Sequence, residues 1–159
     1  MLFSLENGNQ KKIEQLAGLA LSKKKKSGGL KKSKFQVSLQ VNGIFICEDV
    51  LYLRIVFENK SKINYDIDQF RFFIRDQKKS KRTASQEIEI QPLYATSSSA
   101  VIPYQSQIIK VYALEKFTIP DHKYLTLQMM EKSGGRHLDI NIKNNNLSDK
   151  IFSIPGIQQ

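Results

Sequence analysis

Few residues in this chain combine a type and a spacing suited to metal or covalent chemistry. The histidines are His122, beside Asp121, and His137, and the single cysteine is Cys47. A zinc centre takes three or four ligands at short, defined spacing, which two isolated histidines and one cysteine in the apolar stretch Ile44–Cys47 do not supply. Cys47 has no partner for an internal disulfide, and its surroundings predict a small buried thiol. Gly28-Gly29-Leu30-Lys31 lacks the spacing of a phosphate-wrapping loop. Ser97-Ser98-Ser99 lacks the glycine elbow of a nucleophilic serine, and Asp121-His122 reads as a strand-entry turn. The sequence therefore predicts no catalytic residues, no metal and no cofactor.

What remains is cationic. The chain has 159 residues with 25 Lys+Arg against 15 Asp+Glu, a net charge of +10. Residues 1–34 hold nine lysines and two glutamates, so this stretch carries +7 and the other 125 residues only +3. One cluster, Lys23, Lys24, Lys25, Lys26, Lys31, Lys32 and Lys34, has the charge to neutralise nucleic-acid phosphates in a salt-dependent way. No aromatic side chains are interleaved to stack on bases, so weak nucleic-acid binding is the alternative reading and a solvated linker the main one. The second cluster, Lys78, Lys79, Lys81 and Arg82, falls between two predicted strands and places four positive charges on one loop, an electrostatic docking point for an acidic partner.

Both clusters are positioned by a simple element pattern. Ile13, Leu16, Ala17, Ala20 and Leu21 follow helical spacing and predict a short helix. Residues 22–34, rich in lysine and glycine, predict a flexible basic linker. From Phe35 the period changes to two: Phe35, Val37, Leu39 and Val41 alternate with polar residues, with Ile44–Cys47 as a continuation. The alternation recurs at Leu51–Phe57, at Phe70, Phe72 and Ile74 with Arg71 and Arg75 opposite, at Ile88 and Ile90, at Ile109, Val111 and Ala113, at Leu125–Met129 and at Leu138–Ile142. Turn residues separate these segments and no helical period lies between them, which excludes a parallel α/β sheet. The expected fold is all-β, an immunoglobulin-like antiparallel β-sandwich of about seven strands, with a small closed barrel as the alternative. The expected division is 1–34 helix stub and linker, 35–143 sandwich, 144–159 tail. No apolar run is long enough to span a membrane, and the N-terminal residues carry no export signal core.

An ordered set of strings resembles a known family. Gly43-Ile44-Phe45-Ile46, Val50-Leu51-Tyr52, Asn59-Lys60-Ser61, Tyr65-Asp66-Ile67-Asp68, Phe70 to Asp76, Lys78 to Ala84 and Pro92-Leu93 come first. Phe117-Thr118-Ile119-Pro120, Lys123-Tyr124-Leu125, Glu131 and Gly134-Gly135-Arg136-His137 follow. Across residues 40–150 the chain resembles the C-terminal domain of the conjugative-transposon TraN family. The resemblance implies a component of a conjugative, type IV-like secretion apparatus in the periplasm or cell envelope of a bacterium. It also implies that the helix stub and lysine linker at 1–34 are the end of an interdomain linker. The expected role is a non-catalytic assembly module that binds other secretion-channel proteins through sheet edges and charged loops. The expected partner-facing set is Arg71, Arg75, Lys78, Lys79, Lys81 and Arg82.

Overall fold

The computed structural model describes residues 2–23, 30–76, 87–119, 122–143 and 151–153, with side chains described between residues 9 and 143. In chain order the elements are α1 (Leu2–Ser22), β1 (Lys31–Lys34), β2 (Val37–Cys47), β3 (Val50–Asn59), β4 (Tyr65–Asp76) and β5 (Glu87–Ile90). These are followed by β6 (Tyr94–Ala95), β7 (Val101–Ile102), β8 (Ser106–Glu115), β9 (Lys123–Glu131), β10 (Leu138–Lys143) and β11 (Ile151–Ser153). The first sheet has the order β1-β2-β3-β8-β6, and β11 pairs β2 in parallel at Ile44–Ile46, beyond the stretch of β2 that β1 covers. The second has the order β10-β9-β4-β5, with β7 on β4. All pairings except β11–β2 are antiparallel. The described strands divide between two sheets with none in common, which makes the fold a sandwich and not a closed barrel.

The seven strands expected from alternation are present as β2, β3, β4, β5, β8, β9 and β10. Their inner faces meet in one core. Leu39, Val41, Leu53, Ile55 and Phe57 from the first sheet face Phe72, Leu125, Leu127, Met129, Leu138, Ile140 and Ile142 from the second. Phe57, Phe70, Phe72 and Tyr112 cluster with centroid separations of 5.0–5.3 Å, several of them edge-on. Such ring pairs add about 0.5–1.5 kcal/mol each beyond area burial. Lys110 is the cation of this inner side. It is 4% exposed, its Nζ donates to the Ser99 carbonyl and lies 5.3 Å from the Phe57 ring centroid, and burial lowers its pKa.

Helix α1 explains why β8 is apolar on both faces. Tyr112 and Leu114 point into the sandwich core, whereas Val111 and Ala113 point outward and pack with Leu16, Ala17, Ala20, Phe45 and Tyr52. The sequence reading had Ile109, Val111 and Ala113 on the core side; the helix supplies a second apolar partner for Val111 and Ala113, while Ile109, facing outward with them, is 40% exposed. Ala17 and Ala20, both fully buried, are small enough to let the helix lie close to the sheet. Gly18 has open space around its Cα, so it sits on the solvent side.

The helix is also tied down by charge. Arg54 of β3 is 3% exposed and its Nη1 donates to the carbonyls of Ala20, at 2.7 Å, and Lys23. Its Nε donates to Asn42 Oδ1 at 2.8 Å. These carbonyls belong to the helix end, where no intrahelical donor remains, and a cation there also complements the helix dipole. Gly43, at the bulge in β2, keeps the space clear, because a Cβ there would lie 2.7 Å from the Phe45 ring and 3.1 Å from Arg54 Nη2.

Other expectations are corrected. Lys31–Lys34, expected in the linker, pair with Val37–Gln40 as β1, and Ile151–Ser153, expected in the tail, form β11. Both strands are recruited by the backbone donors and acceptors along the edge of β2, which alternation cannot reveal. Phe35, expected on the core face of the first strand, lies instead in the β1–β2 turn with φ 59° and is 46% exposed. Ile88, expected inward, is 57% exposed on the edge strand β5.

Candidate partner-binding surfaces

The two sheets differ on their outer faces: α1 covers the part of the first that holds Phe45, Tyr52, Val111 and Ala113, and on the second the structure places Arg71 and Arg75. Alternation along β4 puts Arg71, Phe73 and Arg75 on this outer face, while Phe72 and Ile74 are buried on the other side. The Cζ atoms of Arg71 and Arg75 lie 5.0 and 4.6 Å from the Phe73 ring centroid, so the ring is held between two guanidinium groups and is only 6% exposed. Each cation–ring contact contributes about 0.5–2 kcal/mol depending on desolvation.

Neighbouring strands fix the stack. Arg71 Nη2 donates to Gln128 Oε1 on β9 at 2.8 Å. Arg75 pairs with Glu87 on β5 at 2.7 Å and with Asp139 on β10 at 3.8 Å. At the end of β4, Asp76 pairs with Lys123 at 3.5 Å. Arg75 is thus flanked by two carboxylates, whereas Arg71 meets an amide and the Met130 sulfur and keeps its positive charge uncompensated among the described residues. The structure brings Arg71 and Arg75 together as expected. Lys78, Lys79, Lys81 and Arg82 lie outside the described residues.

The other expected cluster does not assemble in the same way. Lys24, Lys25 and Lys26 lie outside the described residues. Lys23 offers its carbonyl to Arg54. Lys31, Lys32 and Lys34 are exposed on β1, but strand alternation sends Lys31 to one face and Lys32 and Lys34 to the other, beside His137, Asp139 and Asn141. The β1 lysines therefore do not form one stripe that could track a phosphate backbone.

Sequence reasoning missed a third arrangement, at the end of the sandwich where β3 leads into β4. Asn59 is fully buried: its Nδ2 donates to the carbonyls of Ile63 and Ile102, and its Oδ1 accepts from the backbone N–H and the hydroxyl of Ser61. Arg136 reaches in from the β9–β10 turn. Its Nε and Nη2 donate to Glu131 Oε2, its Nη1 to Ser61 Oγ and its Nη2 also to the Asn64 carbonyl. The guanidinium stacks over Tyr65, whose hydroxyl donates to the Arg136 carbonyl. Hydrogen bonding from Arg136 holds the Glu131 carboxyl below the usual carboxylate range, and burial pushes the Tyr65 hydroxyl up. A Cβ on Gly134 would fall 2.3 Å from Glu131 Oε1, so glycine is what lets that carboxylate fold back onto the turn. Asn59-Lys60-Ser61 and Gly134-Gly135-Arg136 lie more than 70 residues apart in the chain, and no local spacing could show that Ser61 and Arg136 bond to each other.

Among the described residues, no group of three or more His, Cys, Asp or Glu side chains could hold a metal, and no helix is long and apolar enough to cross a membrane. Cys47 is buried beside α1, where burial raises its pKa. In comparisons with known proteins, a family model described as a domain of unknown function, DUF4138, matches residues 10–150. No curated protein and no solved structure matches the chain.

Proposed function

We propose that this chain, which belongs to the DUF4138 family, is a non-catalytic assembly module of a bacterial conjugative, type IV-like secretion apparatus in the cell envelope. Its partners are other proteins of the transfer channel. The conjugative setting is supported by the ordered likeness of residues 40–150 to the TraN C-terminal domain. The assembly role is carried by one observation, the inequality of the two outer sheet faces. The helix covers part of the first, over Phe45, Tyr52, Val111 and Ala113, and leaves Ile109 40% exposed; the second bears the Arg71–Phe73–Arg75 stack, stiffened by its neighbours and followed in the sequence by the basic segment 78–82. Prearranged guanidinium groups lose little rotamer freedom on docking and steer an acidic partner by charge.

The test uses donor cells lacking the gene, complemented with wild type, with Arg71→Glu, or with Lys78, Lys79, Lys81 and Arg82 all changed to Glu. At equal protein levels, the expected result is a tenfold or greater fall in DNA transfer together with loss of co-purifying envelope proteins. Unchanged transfer and unchanged recovery in both variants refutes this docking face.

A further inference from the structure

The loop end of the sandwich has a well-bonded base and an unusual top. Asn59, Arg136 and Gln105, whose Nε2 donates to the carbonyls of Lys60 and Ser61 at 2.6 and 3.1 Å, lock together the 59–64 loop, the β9–β10 turn and the β7–β8 turn. The Lys60 N–H adds the β1–β2 turn by donating to the Gln36 carbonyl at 2.8 Å. Four turns are thereby fixed to one another. On this platform three large apolar side chains remain in water: Phe35 at 46%, Ile63 at 62% and Tyr104 at 59% exposure. Phe35 and Ile63 border a groove of about 490 Å³ with Gln36, Lys60, Lys62, Gln105 and Arg136, and Tyr104 is adjacent, its N–H donating to Asn64 Oδ1 at 2.9 Å.

Backbone strain converges on the same groove. Phe35, Gln36 and Gln105 have φ of 59°, 63° and 52°, and none is glycine or asparagine. A bulky residue in the left-handed region costs on the order of 1 kcal/mol or more, and such costs concentrate at functional surfaces. At Phe35 and Gln36 the positive φ is what the two-residue turn between paired Lys34 and Val37 requires, and with phenylalanine in the first of these places it holds a ring out at 46% exposure.

The groove is cationic. Glu131 neutralises Arg136, and Glu58 lies 3.8 Å from Lys60. Lys34, whose Nζ sits 5.0 Å from the Phe35 ring centroid, and exposed Lys62 have no carboxylate within ion-pair distance among the described residues. We propose that this end of the sandwich docks an acidic peptide segment that buries an apolar anchor residue between Phe35 and Ile63 while its carboxylates meet Lys34 and Lys62. A nucleic-acid strand would satisfy the lysines but leave Ile63 with nothing apolar to bury against, whereas a peptide satisfies both. This surface lies at the opposite end of β4 from Asp76, and the inference stands independently of the assembly role proposed above.

The test is selection of a random twelve-residue phage-displayed library on the immobilised full chain. The enriched peptides are then titrated by fluorescence polarisation against wild type, Ile63→Asp, Lys62→Glu and Phe35→Asn, with a labelled single-stranded DNA of mixed sequence as a parallel probe. Asparagine tolerates a positive φ, so Phe35→Asn is expected to keep or raise the melting temperature while it removes the anchor. The expected result is enrichment of Asp and Glu around Phe, Leu or Trp, with Kd weakened tenfold or more in each variant. Three results overturn the proposal: no enrichment over the unselected library, equal binding to wild type and variants, or DNA binding at this groove in place of peptide.

Discussion

Replacing Arg54 by Met removes the clamp on the end of α1 while keeping most of the buried stem volume. Its guanidinium donates to the Ala20 and Lys23 carbonyls and to Asn42. The residue is 3% exposed, so water cannot fully replace it. A hydrogen bond from a charged donor contributes about 1.5–3 kcal/mol, and a buried acceptor left without its donor costs in the same range. Two carbonyls losing their charged donor together, that of Ala20 keeping only a long 3.4 Å bond from the Lys23 N–H, less the desolvation penalty that no longer opposes folding, give a net loss of about 3–4 kcal/mol. For a chain of this size that is a fall in Tm of roughly 6–16 °C. Urea unfolding gives the free energy, and amide exchange says where it is lost. Residues 9–22 should lose protection well before β3 and β8, because the helix separates from the sheet while the sandwich core persists. Arg54→Lys should recover at most about half, since an ammonium cannot span the helix carbonyls and Asn42 with a planar fork. A loss under about 1 kcal/mol, or exchange that rises equally in helix and sandwich, would refute the clamp.

Further outcomes follow from the ionisable groups. Glu131 is held below its ordinary pKa chiefly by the hydrogen bond from Arg136, so its contribution to stability is fully present above the unfolded value of about 4.3 and is lost as pH falls through the lower folded value. Glu131→Gln should therefore lower Tm at pH 7 and flatten the acid limb of a Tm–pH curve; an unchanged limb would exclude this pair as its source. Burial lowers the pKa of Lys110, so the folded state binds fewer protons in the alkaline range and stability should rise with pH there. Lys110→Met should remove that rise and leave stability at pH 7 unchanged or higher by about 1–2 kcal/mol, since an apolar replacement for a buried charge avoids desolvation. A Tm drop of many degrees in this variant would show that the Ser99 contact outweighs the desolvation.

The sandwich was legible because its main strands each turn one apolar face to the shared core. Leu39, Leu53, Phe72, Leu127 and Ile140 all sit where a period of two puts them, inside. What escaped the pattern has a physical reason in each instance. Val111 and Ala113 look like core residues and are, but of the smaller core under α1. The lysines of β1 carry no apolar signal, and backbone pairing alone recruits them. Of the candidate site, Arg71 and Arg75 could be placed on one face from spacing, whereas the ring between them drew no attention because Phe73 follows Phe72 and breaks the alternation. The loop-end platform was invisible: Asn59 and Ile102, or Ser61 and Arg136, meet only after the chain has crossed between sheets.

The long strands give the molecule a grain. β3 pairs with β8 through ten consecutive residues, from Val50 opposite Glu115 to Asn59 opposite Ser106. Those strands run the length of the domain, from the Glu48–Asp49 turn to the loop end. Tension applied between the two extremities would act parallel to them and strain the whole ladder at once in shear, whereas a sideways pull would unzip it bond by bond. A domain gripped at both ends is therefore strongest along the axis joining them, the property of a tie rod.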